Sequence, residues 1–174
     1  MIKIVHIFGD KLFSVRYDDQ EDNEFDRLMD LWADTEYVYN FLKQNKDDIP
    51  KSKSISNIAN EILEDSEIIE DTLIDLAEDN ESNLDSFFRP LHNNEYPIKV
   101  LSLQKGRRFH LRVYAIRIDA GIYLITGGAI KLTRTMQERA HTLQELDKMK
   151  QVKHMLTVHE IADEDSFFEF LGED

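Results

Sequence analysis

The chain of 174 residues contains no cysteine, so disulfides, thiolate nucleophiles and cysteine-ligated zinc or iron–sulfur sites are excluded. It also lacks any apolar run that approaches the roughly 18 residues needed to span a membrane. The N-terminal residues lack the charged region and the small-residue cleavage site of a secretory signal peptide. These absences predict a cytoplasmic protein with no membrane partner, and a hydrophobic content of 41% is ample for a packed core.

Positive charge is scarce except in one part of the sequence. The chain carries a net charge of −14, but residues 98–158 hold 12 lysines and arginines against 4 acidic residues. The rest of the chain holds 9 basic against 31 acidic side chains. Acidic helical faces are commonly solvated surface, so the acidic residues alone require no partner. That explanation does not account for the basic segment.

The acidic N-terminal half, residues 1–97, has the pattern of a β-hairpin followed by two helices. β-branched and aromatic residues over 2–17, around a Gly-Asp-Lys turn, predict the hairpin. Apolar residues at helical spacing predict a helix over 25–45, broken near Asp34, and a second helix from its cap Ser54 to about residue 78. We expect the carboxylates of this second helix to be exposed. Its predicted apolar stripe consists of Ile58, Ile62, Ile69 and Leu73.

The basic C-terminal core, residues 98–158, has the pattern of an antiparallel meander. Its three predicted strands are joined by connections too short for helical crossovers. A capping box at Thr135 predicts a final helix to about residue 155, and the acidic tail, 159–174, is expected to dock as a short helix. The predicted strands cover residues 98–103, 109–118 and 122–130, and residues 84–91 predict a short amphipathic turn.

These elements predict a single α+β domain over residues 1–174. Its antiparallel sheet would include the N-terminal β-hairpin, and the two N-terminal helices and the C-terminal helix would pack on that sheet.

The motifs of several common active sites are missing. No Gly-rich phosphate loop precedes a Lys-Ser/Thr pair, no nucleophile elbow occurs, and none of the six histidines forms a two-His zinc motif. Gly127 and Gly128 are interpreted as a strand bend or bulge. The acidic pairs of the second helix are interpreted as solvated surface rather than as catalytic carboxylates. We therefore expect neither a metal ion nor a cofactor.

The basic segment concentrates side chains that suit phosphate binding. Alternate residues of a strand point to the same side, so His110, Arg112 and Tyr114 are predicted to share one face, opposite the apolar Leu111 and Val113. Arginine can donate two hydrogen bonds to a phosphate, and tyrosine can stack on a base. The alternative is an exposed sheet face that is basic because it must be solvated. Further basic residues of the segment are Lys99, Lys105, Arg107, Arg108, Arg117, Lys131, Arg134 and Arg139.

The stretch HLRVYAIRIDAGIYLITGGAIKLTRTMQERA, residues 110–140, resembles the core of the RelE/HigB toxin superfamily. Leu111-Arg112-Val113-Tyr114 is similar to the strand pattern of that family, with Leu in place of the usual Tyr. Residues 122–125 resemble the apolar strand that follows, and Lys131 with Arg134 resembles the basic segment that enters the last helix. The resemblance covers the C-terminal half of the chain.

This resemblance implies a small α+β fold that cuts messenger RNA, often on the ribosome, without a metal ion. The 2′-hydroxyl would attack the adjacent phosphate, so the protein must orient the RNA backbone and stabilise the developing charge. By position, the resemblance implies that Arg112, Lys131 and Arg134 hold this phosphate as catalytic residues. It also implies a small antitoxin protein as partner. The side chains expected to bind RNA around them are Lys99, Arg107, Arg108, His110 and Tyr114.

A different class of function suits the same fold. The chain is longer and more acidic than is usual in the family, and Glu138 or His141 lies where many members carry a Tyr or His. The alternative is a non-catalytic protein-interaction module that retains the fold. In that alternative the acidic helices and the phenylalanine-rich tail, residues 159–174, bind a protein partner.

Overall fold

The computed structural model describes residues 1–79, 84–91, 100–105, 110–132 and 136–172, with the backbone alone at 100–105 and 136–142. These residues form five α-helices and one six-stranded sheet. The strands are β1 (Lys3–Phe8), β2 (Leu12–Arg16), β3 (Phe88–Pro90), β4 (Val100–Lys105), β5 (Leu111–Ile118) and β6 (Ile122–Ile130). The helices are α1 (Glu24–Ala33), α2 (Thr35–Gln44), α3 (Ile55–Glu78), α4 (Met136–Val158) and α5 (Glu164–Gly172).

The sheet is mixed, with its strands in the order β1-β2-β6-β5-β4-β3. The hairpin β1–β2 and the meander β4–β5–β6 are antiparallel, as predicted. However, β2 runs parallel to β6, with Leu12 opposite Tyr123 and Ser14 opposite Ile125, so the expectation of a wholly antiparallel sheet is wrong. The physical reason is the crossover of α1, α2 and α3, which carries the chain to the far edge of the sheet. The meander then returns it beside β2 in the same direction.

Helices cover both faces of the sheet. On one face, α1, α2 and α3 form an apolar core in which Trp32 packs with Val113 of β5. On the other, α4 and α5 form a second core in which Val152 and Phe167 pack with Ile116 of β5. Alternate residues of β5 therefore enter opposite cores, as in other sheets that are buried on both faces. The alternative of an exposed, solvated sheet face does not hold at Tyr114, which lies in this second core.

The predicted break between the first two helices is confirmed at Asp34. This residue ends α1, and its carboxylate accepts hydrogen bonds from the backbone N–H groups of Glu36 (3.0 Å) and Tyr37 (3.2 Å) at the start of α2. Ser54 caps α3 in the same way by accepting a hydrogen bond from the N–H of Asn57. Such caps satisfy backbone donors that the first turn of a helix leaves unpaired.

Helix α3 buries the predicted stripe completely, since Ile58, Ile62, Ile69 and Leu73 are each 0% exposed. The prediction that its carboxylates are all exposed is wrong at Asp65, which is also 0% exposed. The reason is its spacing: Asp65 lies three residues after Ile62 and four before Ile69, which places it on the same helical face.

Two short segments complete the fold. Residues 84–91, predicted as an amphipathic turn, instead contain a 3-10 turn followed by the edge strand β3, where Pro90 can be accommodated. The tail docks as predicted, with Phe167 of α5 fully buried. The hairpin of the acidic half and the basic meander share one sheet. In the described part of the chain, no helix combines the length and apolar composition that crossing a membrane requires.

Candidate functional site

The structure places two of the predicted site residues inside the protein. Arg112 is 7% exposed and Tyr114 is 2% exposed, and Tyr114 belongs to the core beneath α4 and α5. Arg112 Nη1 donates a hydrogen bond to the carbonyl of Leu111 (2.9 Å). The two side chains therefore do not form the surface face that the sequence predicted. Arg134, Lys99, Arg107 and Arg108 lie outside the described residues, so their convergence with Lys131 stays a prediction.

His110 faces away from Arg112 and Tyr114, contrary to prediction. It precedes the first residue of β5, so the alternation of the strand does not apply to it. Its Nε2 lies 2.8 Å from Glu61 Oε2 on α3, and this hydrogen bond holds the pKa of Glu61 below its ordinary value. The carbonyl of His110 accepts a hydrogen bond from the backbone N–H of Lys131 (2.6 Å). Lys131 therefore lies beside His110 where β6 ends.

A different site forms where β2 ends and its parallel pairing with β6 stops. Tyr17, which follows β2, donates from its hydroxyl to the carbonyl of Thr126 in β6 (2.7 Å). Ser14 Oγ accepts a hydrogen bond from the N–H of Phe25 (2.9 Å), which ties the first turn of α1 to β2. The carboxyl ends of parallel strands are where α/β sheets commonly bind ligands, because the chain diverges there.

Four charged side chains meet at this end of the sheet, and we name them the ion-pair cluster: Glu24, Arg27, Glu145 and Lys148. Arg27 donates from Nε (3.2 Å) and Nη2 (2.7 Å) to the two carboxylate oxygens of Glu24. Lys148 Nζ lies 3.1 Å from Glu24 Oε2 and 3.2 Å from Glu145 Oε2. The cluster therefore connects α1 on one face of the sheet with α4 on the other.

The pKa values of three groups here, Arg27, Glu145 and Tyr17, are shifted from their ordinary values. Glu24 is 0% and Glu145 8% exposed. Burial raises the pKa of Glu145 above its ordinary value, although Lys148 opposes the shift. Burial lowers the pKa of Arg27, but the hydrogen bond and charge of Glu24 outweigh it and leave this pKa raised. Burial and the charges of Glu24 and Glu145 also raise the pKa of Tyr17. Perturbed groups that gather at a cleft are candidates for function.

The two glycines of β6, Gly127 and Gly128, allow side chains of α4 and α1 to lie directly against the backbone of the strand. The strand pairing shifts between Tyr114 and Ala115, which confirms a bulge near the pair. A Cβ on Gly127 would collide with Glu145 Oε2. A Cβ on Gly128 would lie 2.7 Å from the carbonyl oxygen of Arg112 and 2.9 Å from Trp32. Glycine is therefore required at both positions for close packing of α1 and α4 against the strand end.

Two clefts flank Arg27 and Glu145. The aromatic cleft, of about 410 Å³, lies between α1, α2, α4 and the end of β6. The acidic cleft, of about 650 Å³, lies between α4 and the segment that follows β2. The aromatic cleft includes Trp32, Tyr37, Asn40, Phe41, Gln44 and Gln144, and the acidic cleft includes Tyr17, Asp18, Asp19, Gln20, Asp147 and Lys148.

Within the described residues, no group of three His, Asp or Glu side chains is placed to hold a metal ion.

Sequence reasoning missed the whole ion-pair cluster. Its two halves, Glu24 with Arg27 and Glu145 with Lys148, are more than 110 positions apart, and each member resembles an ordinary helix-surface charge in the sequence. The signal that could have found them was a parallel pairing of β2 with β6, which would have drawn attention to the residues after both strands. No protein-family model, curated protein or solved structure matches this chain.

Proposed function

We propose that the protein binds single-stranded RNA, with one base in the aromatic cleft and the adjoining phosphate on Lys131. The observation that carries this proposal is the position of that lysine. It directly follows Ile130, which lines the aromatic cleft. A stacking surface beside a cation suits a nucleotide, in which a flat base and a charged phosphate are likewise adjacent.

The lining of the aromatic cleft suits a base. Tyr37 and Phe41 are one turn apart on α2, with ring centroids 6.3 Å apart and planes inclined by 34°. Asn40 and Gln44 repeat the same spacing and supply amide donors and acceptors. Arg27 and Glu145 carry opposite charges, so they add little net charge to the cleft. Unpaired bases are recognised in this manner, by stacking on aromatic rings and by hydrogen bonds along their edges.

A finer proposal is that the protein is a RelE/HigB-like, metal-independent endoribonuclease of a toxin–antitoxin pair. Its support is the sequence resemblance of residues 110–140, in which Arg134 follows Lys131 by three positions. We expect growth arrest when the gene is induced alone and relief when a neighbouring antitoxin gene is co-expressed. Normal growth together with intact messenger RNA would contradict the toxin proposal and leave RNA binding to be judged separately.

RNA binding is tested by fluorescence anisotropy with a labelled single-stranded RNA at low salt. Loss of a stacked base costs about 1–3 kcal/mol, so Tyr37→Ala should weaken binding by about tenfold or more. Tyr39→Ala is the matched control, because Tyr39 lies on the same helix and contacts Ser56 of α3 instead of the cleft. Equal affinity of the two variants would overturn base insertion, and an absence of binding by the wild type would overturn the whole proposal.

A non-catalytic interaction module is the second candidate. The observation that favours it is the burial of Arg112 and Tyr114, two residues on which the ribonuclease hypothesis depended. In this candidate the exposed carboxylates of α3 form the binding surface, whereas Phe167 of the tail already serves the core. Co-purification of a basic protein that is lost in a charge-reversed α3 variant, without RNA binding, is the result expected here.

A further inference from the structure

Arg27 is a cation in the wall of the aromatic cleft, and a buried anchor fixes its orientation. It donates from Nε (3.2 Å) and Nη2 (2.7 Å) to the carboxylate of Glu24, which is fully buried. A guanidinium group is planar and carries N–H donors along two edges. Glu24 occupies the side edge of Arg27, which consists of Nε and one N–H of Nη2. The anchor therefore also sets the direction of the donors that remain.

The end edge of the same guanidinium, formed by Nη1 and the second N–H of Nη2, is open. Within the described residues, the two hydrogen bonds to Glu24 are the ones that the Arg27 side chain makes. The side chain is 31% exposed and lines the aromatic cleft. Burial raises the pKa of Tyr37, and the charge of Arg27 opposes this rise, so the guanidinium lies near the Tyr37 hydroxyl. The open edge is thus a pair of parallel donors beside the stacking rings of α2.

The other polar side chains of the aromatic cleft are less able to select a ligand. The amides in its wall are exposed, and each offers a donor and an acceptor that can pair with the edge of any base. Glu145 is engaged with Lys148, which donates to Oε1 (3.3 Å) and lies 3.2 Å from Oε2. Arg27 is therefore the charged group of the lining that is left to discriminate between bases.

We propose that the base in the aromatic cleft is guanine, and that the end edge of Arg27 donates to its N7 and O6 atoms. These two acceptors are adjacent and suit the fork of an arginine. Adenine presents the N6 amino group, a donor, where guanine has O6, and the pyrimidines have no N7. This proposal rests on the RNA binding proposed above and adds the identity of the base to it.

Fluorescence anisotropy with single-stranded RNAs that differ at one base tests this proposal. Each RNA is an oligouridine with guanine, hypoxanthine, 7-deazaguanine or adenine at its central position. Guanine and hypoxanthine both carry N7 and O6, so their RNAs should bind alike. The RNAs with 7-deazaguanine, which lacks the N7 acceptor, and with adenine should bind about tenfold more weakly, since each loses a charge-assisted hydrogen bond.

A variant of the arginine supplies a second measurement. Arg27→Lys keeps a positive charge beside Glu24 but lacks the two-donor fork. It should still bind RNA, but with similar affinities for the guanine and adenine RNAs. Arg89→Lys is the matched control, because Arg89 is exposed on β3 and lines neither cleft, and it should keep the full preference for guanine.

The possible failures of the two proposals can be told apart. Equal affinity of the wild type for the guanine, 7-deazaguanine and adenine RNAs would overturn the guanine proposal and leave RNA binding in place. The same pattern is expected if a phosphate occupies the arginine fork instead of a base. Weaker binding of the hypoxanthine RNA would also overturn it, because the base would then be read at its N2 amino group. An absence of binding to all four RNAs would overturn both proposals. The wild-type series decides the matter even if Arg27→Lys fails to fold.

Discussion

The carboxylate of Glu145 lies where a Cβ on Gly127 would be. The bare backbone of β6 at this position lets the side chain cross the end of the sheet from α4. Lys148 of the same helix then reaches Glu24 of α1 on the other side, at 3.1 Å. One glycine therefore permits the contact through which two helical layers share an ion-pair cluster.

Replacement of this glycine tests that contact. Gly127→Ala should lower the free energy of unfolding by about 1–3 kcal/mol, because overpacking must displace a buried carboxylate. Gly172→Ala is the control, since a Cβ there meets no atom within 4 Å. Denaturant unfolding of both variants, repeated in a Glu145→Ala background, isolates the collision. The same cost of Gly127→Ala in both backgrounds would show that Glu145 is not its cause.

The two isoleucines Ile62 and Ile68 provide a matched test of the α3 stripe. Ile62 is 0% exposed and Ile68 is 40% exposed on the same helix. Ile62→Ala should cost about 2–5 kcal/mol through lost burial and a residual cavity, whereas Ile68→Ala should cost far less. Urea denaturation measures both. Similar costs for the two variants would contradict the assigned orientation of α3.

The sequence predicted elements better than their assembly. The Asp34 and Ser54 caps and the α3 stripe depend on residues close in the sequence, and local spacing was enough to predict them. Parallel pairing of β2 with β6 depends on contacts more than 100 positions apart, which no local pattern reports. Tyr114 illustrates the consequence. Its position opposite Val113 on β5 was predicted correctly, but its burial depends on where α4 and α5 pack.

Glu145 should make stability depend on pH in a characteristic direction. Burial raises its pKa in the folded protein above the ordinary value of 4.5. The folded protein therefore favours the protonated form of Glu145. The stability that this preference contributes is fully present below pH 4.5 and is lost as the pH rises through the folded pKa, because the carboxyl then ionises while buried. Glu145→Gln should remove this loss, so the variant should gain stability relative to the wild type as the pH rises. Denaturation at a series of pH values would contradict this if the difference were constant or of opposite sign.

Glu61 should behave in the opposite way. The hydrogen bond with His110 lowers its pKa below 4.5, helped by Lys53 and opposed by burial. Its contribution to stability is present above pH 4.5 and is lost as the pH falls through the folded pKa. Glu61→Gln should therefore be less stable than the wild type near neutral pH, with a difference that shrinks in acid. The same pH series measures it, and a difference that grows in acid would contradict the assignment.

The salt dependence of RNA binding tests whether Lys131 holds a phosphate. Each phosphate contact on a single strand releases counterions and contributes about −0.7 to the slope of log K against log salt concentration. Lys131→Gln should therefore weaken binding at low salt and make the slope shallower by about 0.7. Lys43→Gln is the control, because Lys43 is exposed on α2 and lines neither cleft. Both variants remove one positive charge from a strongly acidic protein, so a general electrostatic effect would change both slopes alike. A change confined to Lys131→Gln identifies a direct contact, and equal slopes for the two variants would place the phosphate elsewhere.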